Sequence, residues 1–163
     1  MGFSVSNKPL VGEYTFVLES DPAIDREAEG WEDQYKLYLD TGEEKHLPLK
    51  AGQKPTRWKF RNLECKQYQM LHSIQSPLWE MSDFQRQHSS AVVFYEYCKS
   101  ALIGWDLKLE EGGDAQFRTS YDADQGANVA SDESMATLQR IDKNLPVSLG
   151  FAAWRRTYLP PKS

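Results

Sequence analysis

The loop that begins at Asp122 holds the best match to a metal-binding pattern in this chain. Asp122, Asp124 and Glu133 fall at positions 1, 3 and 12 of a calcium-binding loop, where carboxylate oxygens are the preferred ligands. The sixth position is Ala127, where such loops need glycine for a sharp turn, and no helical pattern leads into the segment. We therefore interpret it as a solvated loop before a helix that Ser131 caps, and we expect neither a metal ion nor another cofactor.

The cysteines and histidines could support nucleophilic catalysis only if the fold brought them together. A thiolate nucleophile needs a histidine beside it and a third group that orients the histidine. His72 follows Cys65 by about two helical turns, a spacing that more often reflects packing. Cys98, His46 and His88 have no partner in the sequence pattern. We expect both cysteines to be reduced core thiols, and we expect no enzymatic activity.

A basic and aromatic strand offers the clearest surface for contacts with a partner. Arg57, Lys59 and Arg61 alternate with Trp58 and Phe60 at the period of a β-strand, which predicts one basic face and one aromatic face. Basic residues on phosphates and Trp58 or Trp31 stacked on a base would suit a single-stranded nucleic acid. Here the two kinds of side chain point to opposite faces, and the chain carries a net charge of −5. Direct contact with nucleic acid is therefore an alternative that the sequence disfavours.

An acidic segment, residues 19–33, carries the opposite charge. It contains seven acidic residues against one base, and Asp25, Glu27 and Glu29 lie in its middle. In a repeated assembly these three acids could contact the three basic residues of a neighbouring copy. Exposed ion pairs contribute only ~0 to 1 kcal/mol each, so such contacts would set orientation and encounter rate more than affinity. Pairing of the two sets within one chain is the alternative.

Gly104 and Trp105 mark the junction between the longest predicted helix and the element that follows. The helical pattern runs over residues 83–103, with a capping box at its start and apolar residues every three or four positions. Gly104 predicts a left-handed stop, and the ring of Trp105 would then fold back on the last helical turn. We expect these two residues to form a structural junction between helix and strand.

The remaining pattern predicts an α+β fold, with a β-rich N-terminal region followed by a small helical domain with that one long central helix. Residues 1–63 contain the acidic segment and two further predicted strands, residues 14–19 and residues 34–40, both rich in β-formers. Residues 64–163 are predicted to be mainly helical and to form one compact domain with the first region. Besides the long helix, the expected helices cover residues 63–75 and begin after Ser131 and near Asn144. The last two are predicted to bury Met135, Leu138 and Ile141, and Val147, Phe151 and Trp154, respectively.

Length and composition are those of an ordinary soluble protein. With 163 residues and 40% hydrophobic content, the chain can build a core without disulfides. No apolar run approaches the ~20 residues that span a bilayer. A match to the N-myristoylation template at Gly2 and Ser6 lacks the polybasic second signal that stable anchoring needs. We expect synthesis in a cytoplasm and no contact with a membrane.

Two segments of the chain resemble a pattern found in tailed-bacteriophage virion and tail-assembly proteins. In those proteins a strand of the type PT.F.LR.L opens the helical part, and a later helix ends in a turn similar to LVGWEN before a glycine-rich stretch. The counterparts here are KPTRWKFRNL, residues 54–63, and ALIGWDL, residues 101–107, in the same order and at a similar separation. Asn62 stands where proline is usual, and Asp106 alone follows the tryptophan in place of an acidic residue and an asparagine.

This resemblance implies a role in building the phage particle. It implies a non-enzymatic virion component or an assembly factor, and of these we expect a structural subunit of the virion, in the head-tail neck, the tail or the minor capsid components. Its partners would be other virion proteins and further copies of itself, and its location would be the virion after synthesis in the host cytoplasm. A cytoplasmic tail assembly chaperone is the alternative within the same group, and a single-stranded nucleic-acid-binding module is the alternative outside it. The resemblance provides no catalytic residues.

Overall fold

The computed structural model describes residues 12–63 and 83–158, and it gives side-chain surroundings for all of these except residues 83–90 and 156–158. The helix predicted over residues 63–75, with Cys65 and His72, lies outside the described residues apart from Leu63. The helices and strands are β1 (Glu13–Phe16), α1 (Trp31–Thr41), β2 (Trp58–Arg61), α2 (Asp83–Ala101), β3 (Leu102–Trp105), β4 (Thr119–Asp122), β5 (Ala127–Ala130), α3 (Asp132–Ile141) and α4 (Leu145–Tyr158), with a 3-10 turn at Glu44–His46.

The predicted α+β class is confirmed, with N-terminal strands followed by helices. The strands β1, β2 and β3 form an antiparallel sheet in that order, and β4 and β5 form a separate antiparallel hairpin. The strand β3 comes after α2 in the sequence and pairs with β2. The first sheet therefore contains strands from both predicted regions, residues 1–63 and residues 64–163. No helix within the described residues has the length and apolar character needed to cross a membrane.

One cluster of buried apolar side chains unites the first sheet with the helices that follow it. Trp58 and Phe60 of β2 belong to this cluster, together with Tyr97 of α2, Leu138 of α3 and Leu149 of α4. The aromatic face predicted for the basic and aromatic strand is therefore the core face. A second, smaller cluster lies around α1 and contains Val17, Ile24, Tyr35, Tyr38 and Leu47.

The strand prediction for residues 34–40 is wrong, because these residues belong to α1. Tyr35 and Tyr38 lie three residues apart and are both buried, whereas Leu37 between them is 44% exposed. Gly42 ends the helix in the left-handed region with φ 72°, and its N–H donates to the carbonyl of Tyr38 at 2.7 Å. The strand preference of tyrosine is a weak signal, and burial on a helical face together with this glycine stop overrides it.

The two tyrosine hydroxyls of α1 satisfy the backbone just beyond the end of β1. The N–H of Val17 donates to the Tyr38 hydroxyl at 3.0 Å, and the Tyr35 hydroxyl donates to the Val17 carbonyl at 2.8 Å. Burial raises the pKa of Tyr35, so its hydroxyl stays protonated and remains a donor. These bonds provide partners for buried main-chain groups and fix α1 to the end of the first sheet.

The helix α2 ends at Ala101 instead of at the predicted residue 103, because the chain enters β3 there. The register of β3 with β2 places Trp105 opposite Trp58, Gly104 opposite Lys59 and Leu102 opposite Phe60. Gly104 does not have a positive φ. The predicted left-handed stop at Gly104 is therefore wrong, and pairing with β2 takes the place of a helix cap. At 19 residues, α2 is still the longest described helix, roughly 28 Å at 1.5 Å per residue.

The helix α3 begins where the sequence predicts. The Ser131 hydroxyl accepts a hydrogen bond from the N–H of Ser134 at 3.1 Å, which is the expected N-cap. Met135 and Leu138 are buried, as predicted. Ile141, in contrast, is 54% exposed, so its predicted burial is wrong.

The helix α4 approaches α2 most closely at a glycine. A Cβ atom on Gly150 would overlap the carbonyl oxygen of Phe94 in α2. Leu149 and Ala153, on either side of this contact, are buried, whereas Phe151 is 43% exposed. The predicted burial of Phe151 is therefore wrong, since Gly150 and not Phe151 lies at the closest approach of the two helices. The other two residues predicted to be buried in α4, Val147 and Trp154, are half-buried.

Candidate partner-binding surfaces

Arg57, the first of the three predicted basic contacts, is held by two carboxylates of its own chain. Its Nε and Nη2 atoms donate to the two carboxylate oxygens of Glu44 at 2.6 and 3.0 Å. Its Nη1 atom donates to Asp106 Oδ2 at 3.4 Å, and its main-chain N–H donates to Asp106 Oδ1 at 2.6 Å. The hydrogen bond and the charge of Glu44 raise the pKa of Arg57. Arg57 thus links the 3-10 turn to β2 and to the end of β3.

Lys59 and Arg61, the other two predicted basic contacts, also have partners within the chain. Lys59 is exposed on β2, and its Nζ atom lies 3.1 Å from Glu13 Oε2 on the neighbouring strand β1. Arg61 donates from Nε to the carbonyl of Ser100 at 3.1 Å and from Nη2 to the carbonyl of Asn128 at 2.8 Å. Each basic residue therefore contacts its own chain, through groups that are not the predicted acids.

The predicted acidic contacts have no cationic partner in the described part of the chain. Glu27 and Glu29 are exposed and Asp25 is half-buried, and none of the three takes part in an ion pair there. Asp25 accepts a hydrogen bond from the N–H of Glu27 at 3.1 Å, which shapes the loop. Arg26 donates to the carbonyl of Glu19 at 2.8 Å instead of pairing with a carboxylate. Among the described residues, therefore, no cation engages these three carboxylates.

Trp105 joins three parts of the structure, but not in the way the sequence predicts. Its Nε1–H donates to the carbonyl of Ala115 at 2.7 Å. Its ring packs edge-on against Trp58, with centroids 6.0 Å apart, and against Phe117, with centroids 4.9 Å apart. Trp105 thus connects β3 to β2 and to the segment before β4. The sequence predicted instead that its ring would pack on the last turn of the preceding helix. Gly104 lies beside it in β3, and a Cβ atom there would be 3.8 Å from the Cβ of Lys59.

The burial of Trp58 bears on the nucleic-acid alternative. Trp58 is 3% exposed within the core, so it cannot stack on a base, whereas Trp31, the other candidate for stacking, is half-buried. Burial likewise raises the pKa of the Cys98 thiol, which is the opposite of what an activated nucleophile needs.

The candidate metal loop is the turn of the β4–β5 hairpin. The Oδ1 atom of Asp122 accepts from the N–H groups of Asp124 at 2.9 Å and Gln125 at 3.2 Å. Gly126 has φ 65°, and its N–H donates to the carbonyl of Asp122 at 2.8 Å. Within the described residues no cluster of histidine, cysteine, aspartate and glutamate side chains could hold a metal ion. The Asp122 carboxylate, which matched the first ligand position, instead stabilises the hairpin turn through these hydrogen bonds.

Two surface features were missed by the sequence reasoning. The hairpin itself was overlooked, although Thr119 and Tyr121 are good β-formers and a glycine turn follows, because the segment was considered only as a metal loop. The second feature is an aromatic group on α2 and α4: Phe94 lies 5.3 Å from Phe151 and 5.7 Å from Trp154 by ring centroids. The spacing of these residues on their helices is visible in the sequence. Their partial exposure cannot be read from the sequence, because it depends on how α2 and α4 pack together.

The chain was compared with protein-family profiles, with curated proteins and with solved structures. None of them matches.

Proposed function

We propose that this chain is a non-enzymatic structural subunit of a tailed-bacteriophage virion, in the head-tail neck, the tail or the minor capsid components. The observation that carries the proposal is the pairing of β2 with β3. The two segments that resemble phage proteins, residues 54–63 and residues 101–107, contain these two strands, and Trp58 and Trp105 lie opposite each other. The residues behind the resemblance thus form one packed unit, although 37 residues, 64–100, separate the two segments in the sequence.

The surface supports an action through protein-protein contacts. The acids Asp25, Glu27 and Glu29 have no cationic partner among the described residues, whereas the bases Arg57 and Lys59 are already paired within the chain. Contact between the acids of one copy and the bases of the next would require those internal pairs to break. The better supported form of the proposal is that the acidic segment contacts basic side chains of another virion protein. Such contacts steer association and fix orientation.

Charge reversal in the phage that encodes this chain tests the proposal. We expect the triple change Asp25→Lys, Glu27→Lys and Glu29→Lys to reduce the amount of the chain in gradient-purified particles while the purified protein keeps its melting temperature. The matched control reverses three other exposed acids, Asp40, Glu110 and Glu111, with the same change in net charge.

The control variant should enter particles at the wild-type level, because its acids lie outside the acidic segment. Equal incorporation of both variants would contradict the role of the acidic segment. A wild-type chain that is found only in the soluble lysate, and never in particles, would contradict the proposal of a structural subunit and favour an assembly chaperone.

A further inference from the structure

The strand β4 has one edge paired with β5 and one edge without a strand. The carbonyl of Arg118 accepts from the N–H of Ser131 at 2.9 Å, and the register then pairs Thr119 with Ala130 and Tyr121 with Asn128. Because main-chain groups alternate in direction along a strand, those of Ser120 point toward β5 and those of Thr119 and Tyr121 point away from it. Within the described residues nothing bonds to the outward N–H and C=O groups of Thr119 and Tyr121.

This free edge is exposed, and within the described residues its main protection is its short length of four residues. Thr119, Ser120 and Tyr121 are all exposed, and Tyr121 is 69% exposed. Natural edge strands are commonly protected by lysine, proline, a bulge or a covering segment. The strand β4 has the sequence TSYD, with a regular register, and its only charged residue, Asp122, bonds to the amides of the turn.

The partner strand β5, in contrast, is fixed to the rest of the structure. Val129 and Ala130 are buried, and the carbonyl of Asn128 accepts a hydrogen bond from Arg61 at 2.8 Å. The hairpin is thus anchored through β5 and presents β4 to the outside. A two-stranded sheet is marginal by itself and gains stability from further strands.

We propose that β4 pairs in antiparallel fashion with β4 of a second copy of this chain, about a two-fold axis at Ser120. This register places Thr119 opposite Tyr121 of the second copy, so that the free main-chain groups of both strands meet. Each Thr119–Tyr121 pair makes two main-chain hydrogen bonds and a cross-strand contact between a β-branched and an aromatic side chain. The result is a continuous four-stranded sheet with the order β5, β4, β4 and β5.

Charge complementarity favours a second copy as the occupant. The same register places Arg118 opposite Asp122 of the second copy, and the two-fold axis repeats this pair. Arg118 forms an exposed ion pair with Glu133 at 3.7 Å in its own chain, with side chains 63% and 76% exposed. Such an exposed pair contributes little to stability, so the guanidinium can exchange it for Asp122 of the second copy at little cost. Its remaining contact is a 3.2 Å hydrogen bond to Gln116. Opposite charges on facing strands stabilise an antiparallel pair.

This inference deepens the proposed function, because it names a contact between two copies of the chain. It rests on that function only in assuming that many copies come together in one particle. The contact itself is a property of the purified chain. Because a four-residue edge is far smaller than the ~1,200 Å² of a stable interface, we expect a weak monomer-dimer equilibrium that forms at high concentration.

Disulfide trapping tests the register. A Ser120→Cys chain places two cysteines opposite each other at a non-hydrogen-bonded position, where Cα atoms are about 4.5 Å apart and a disulfide can form. We expect Ser120→Cys to give more disulfide-linked dimer under mild oxidation than Thr119→Cys, Tyr121→Cys or the wild type. The wild type measures any cross-linking through the native Cys65 and Cys98. Equal cross-linking of all these chains would overturn the proposal.

Sedimentation of a matched pair of variants tests the edge. Tyr121→Pro removes an outward N–H and leaves the β4–β5 bonds in place, whereas Tyr121→Thr keeps that N–H. We expect a dimer dissociation constant roughly tenfold higher for the proline variant than for the threonine variant, because two hydrogen bonds are lost per dimer. Identical dissociation constants, or a wild type that stays monomeric at every concentration, would overturn the proposal. Particles that contain the chain despite such a result would leave the proposed function intact.

Discussion

At the residue scale, the polar side chains of this protein act mainly on its own backbone. The carboxylate of Asp21 accepts from the N–H groups of Ala23 and Thr56, each at 2.8 Å, and Asp106 does the same for Arg57. These bonds satisfy loop and strand-end donors that would otherwise lack partners. Since two of them join residues 35 and 49 positions apart, no local pattern in the sequence announces them.

Two buried serines provide a matched test of this view. Among the described residues, the buried hydroxyl of Ser100 has no hydrogen-bond partner, whereas that of Ser134 accepts from the N–H of Arg118 and donates to its carbonyl, both at 2.8 Å. Ser100→Ala should leave the free energy of unfolding unchanged or raise it by up to about 2 kcal/mol, because it removes an unsatisfied group. Ser134→Ala should lower it by about 1 to 3 kcal/mol. Urea titration of both variants measures the difference, and a larger loss in Ser100→Ala would contradict the account.

Gly104 and Gly42 form a second matched pair. Gly104 lies in β3 without a positive φ and with ordinary space for a Cβ, so Gly104→Val should keep the free energy of unfolding or raise it by up to about 1 kcal/mol. Gly42 has φ 72°, and Gly42→Val should lose about 1 to 2 kcal/mol because side chains are strained in the left-handed region. Thermal unfolding of the two variants separates the cases. A greater loss at Gly104 would restore the left-handed stop that the sequence alone suggested.

At the element scale, both errors of assignment arose where long-range contacts outweighed a local signal. Residues 34–40 look like a strand because of their tyrosines, yet Tyr35 and Tyr38 are buried on one side of a helix and bond to Val17. The end of α2 looks like a continuous helix with a glycine stop, yet β2 draws residues 102–105 into the sheet. In both places the deciding partner lies far away in the sequence.

The contact between α2 and α4 predicts an unusual response to a helix-favouring change. Replacing glycine by alanine inside a helix normally gains about 1 kcal/mol. At Gly150 the new Cβ would overlap the backbone of Phe94, so Gly150→Ala should instead lose about 1 to 3 kcal/mol. Ser148→Ala, on the exposed side of α4, is the control and should stay within about 0.5 kcal/mol of the wild type. Denaturant titration decides; a stabilised Gly150→Ala protein would mean that the two helices lie farther apart.

At the scale of the whole molecule, the sequence allowed the fold class and the later helices to be predicted, but not the surfaces. The α+β class, the face of β2 and the cap of α3 followed from local periodicity and capping residues, whose physical causes are local. The internal partners of Arg57, the β4–β5 hairpin and the exposure of Phe151 depend on how distant elements pack. The contact between the acids of one copy and the bases of another stays a prediction. Arg57 and Lys59 already form ion pairs within their own chain.

The measurement that tests the central claim most directly is the copy number of this chain in purified phage particles. Quantitative mass spectrometry against the major capsid protein, on particles purified through two successive density gradients, gives that number. A structural subunit should be present in the same whole-number copy per particle in independent preparations and should stay bound through a high-salt wash. A chain that falls toward zero with each purification step, while it remains abundant in the infected cell, would contradict the account.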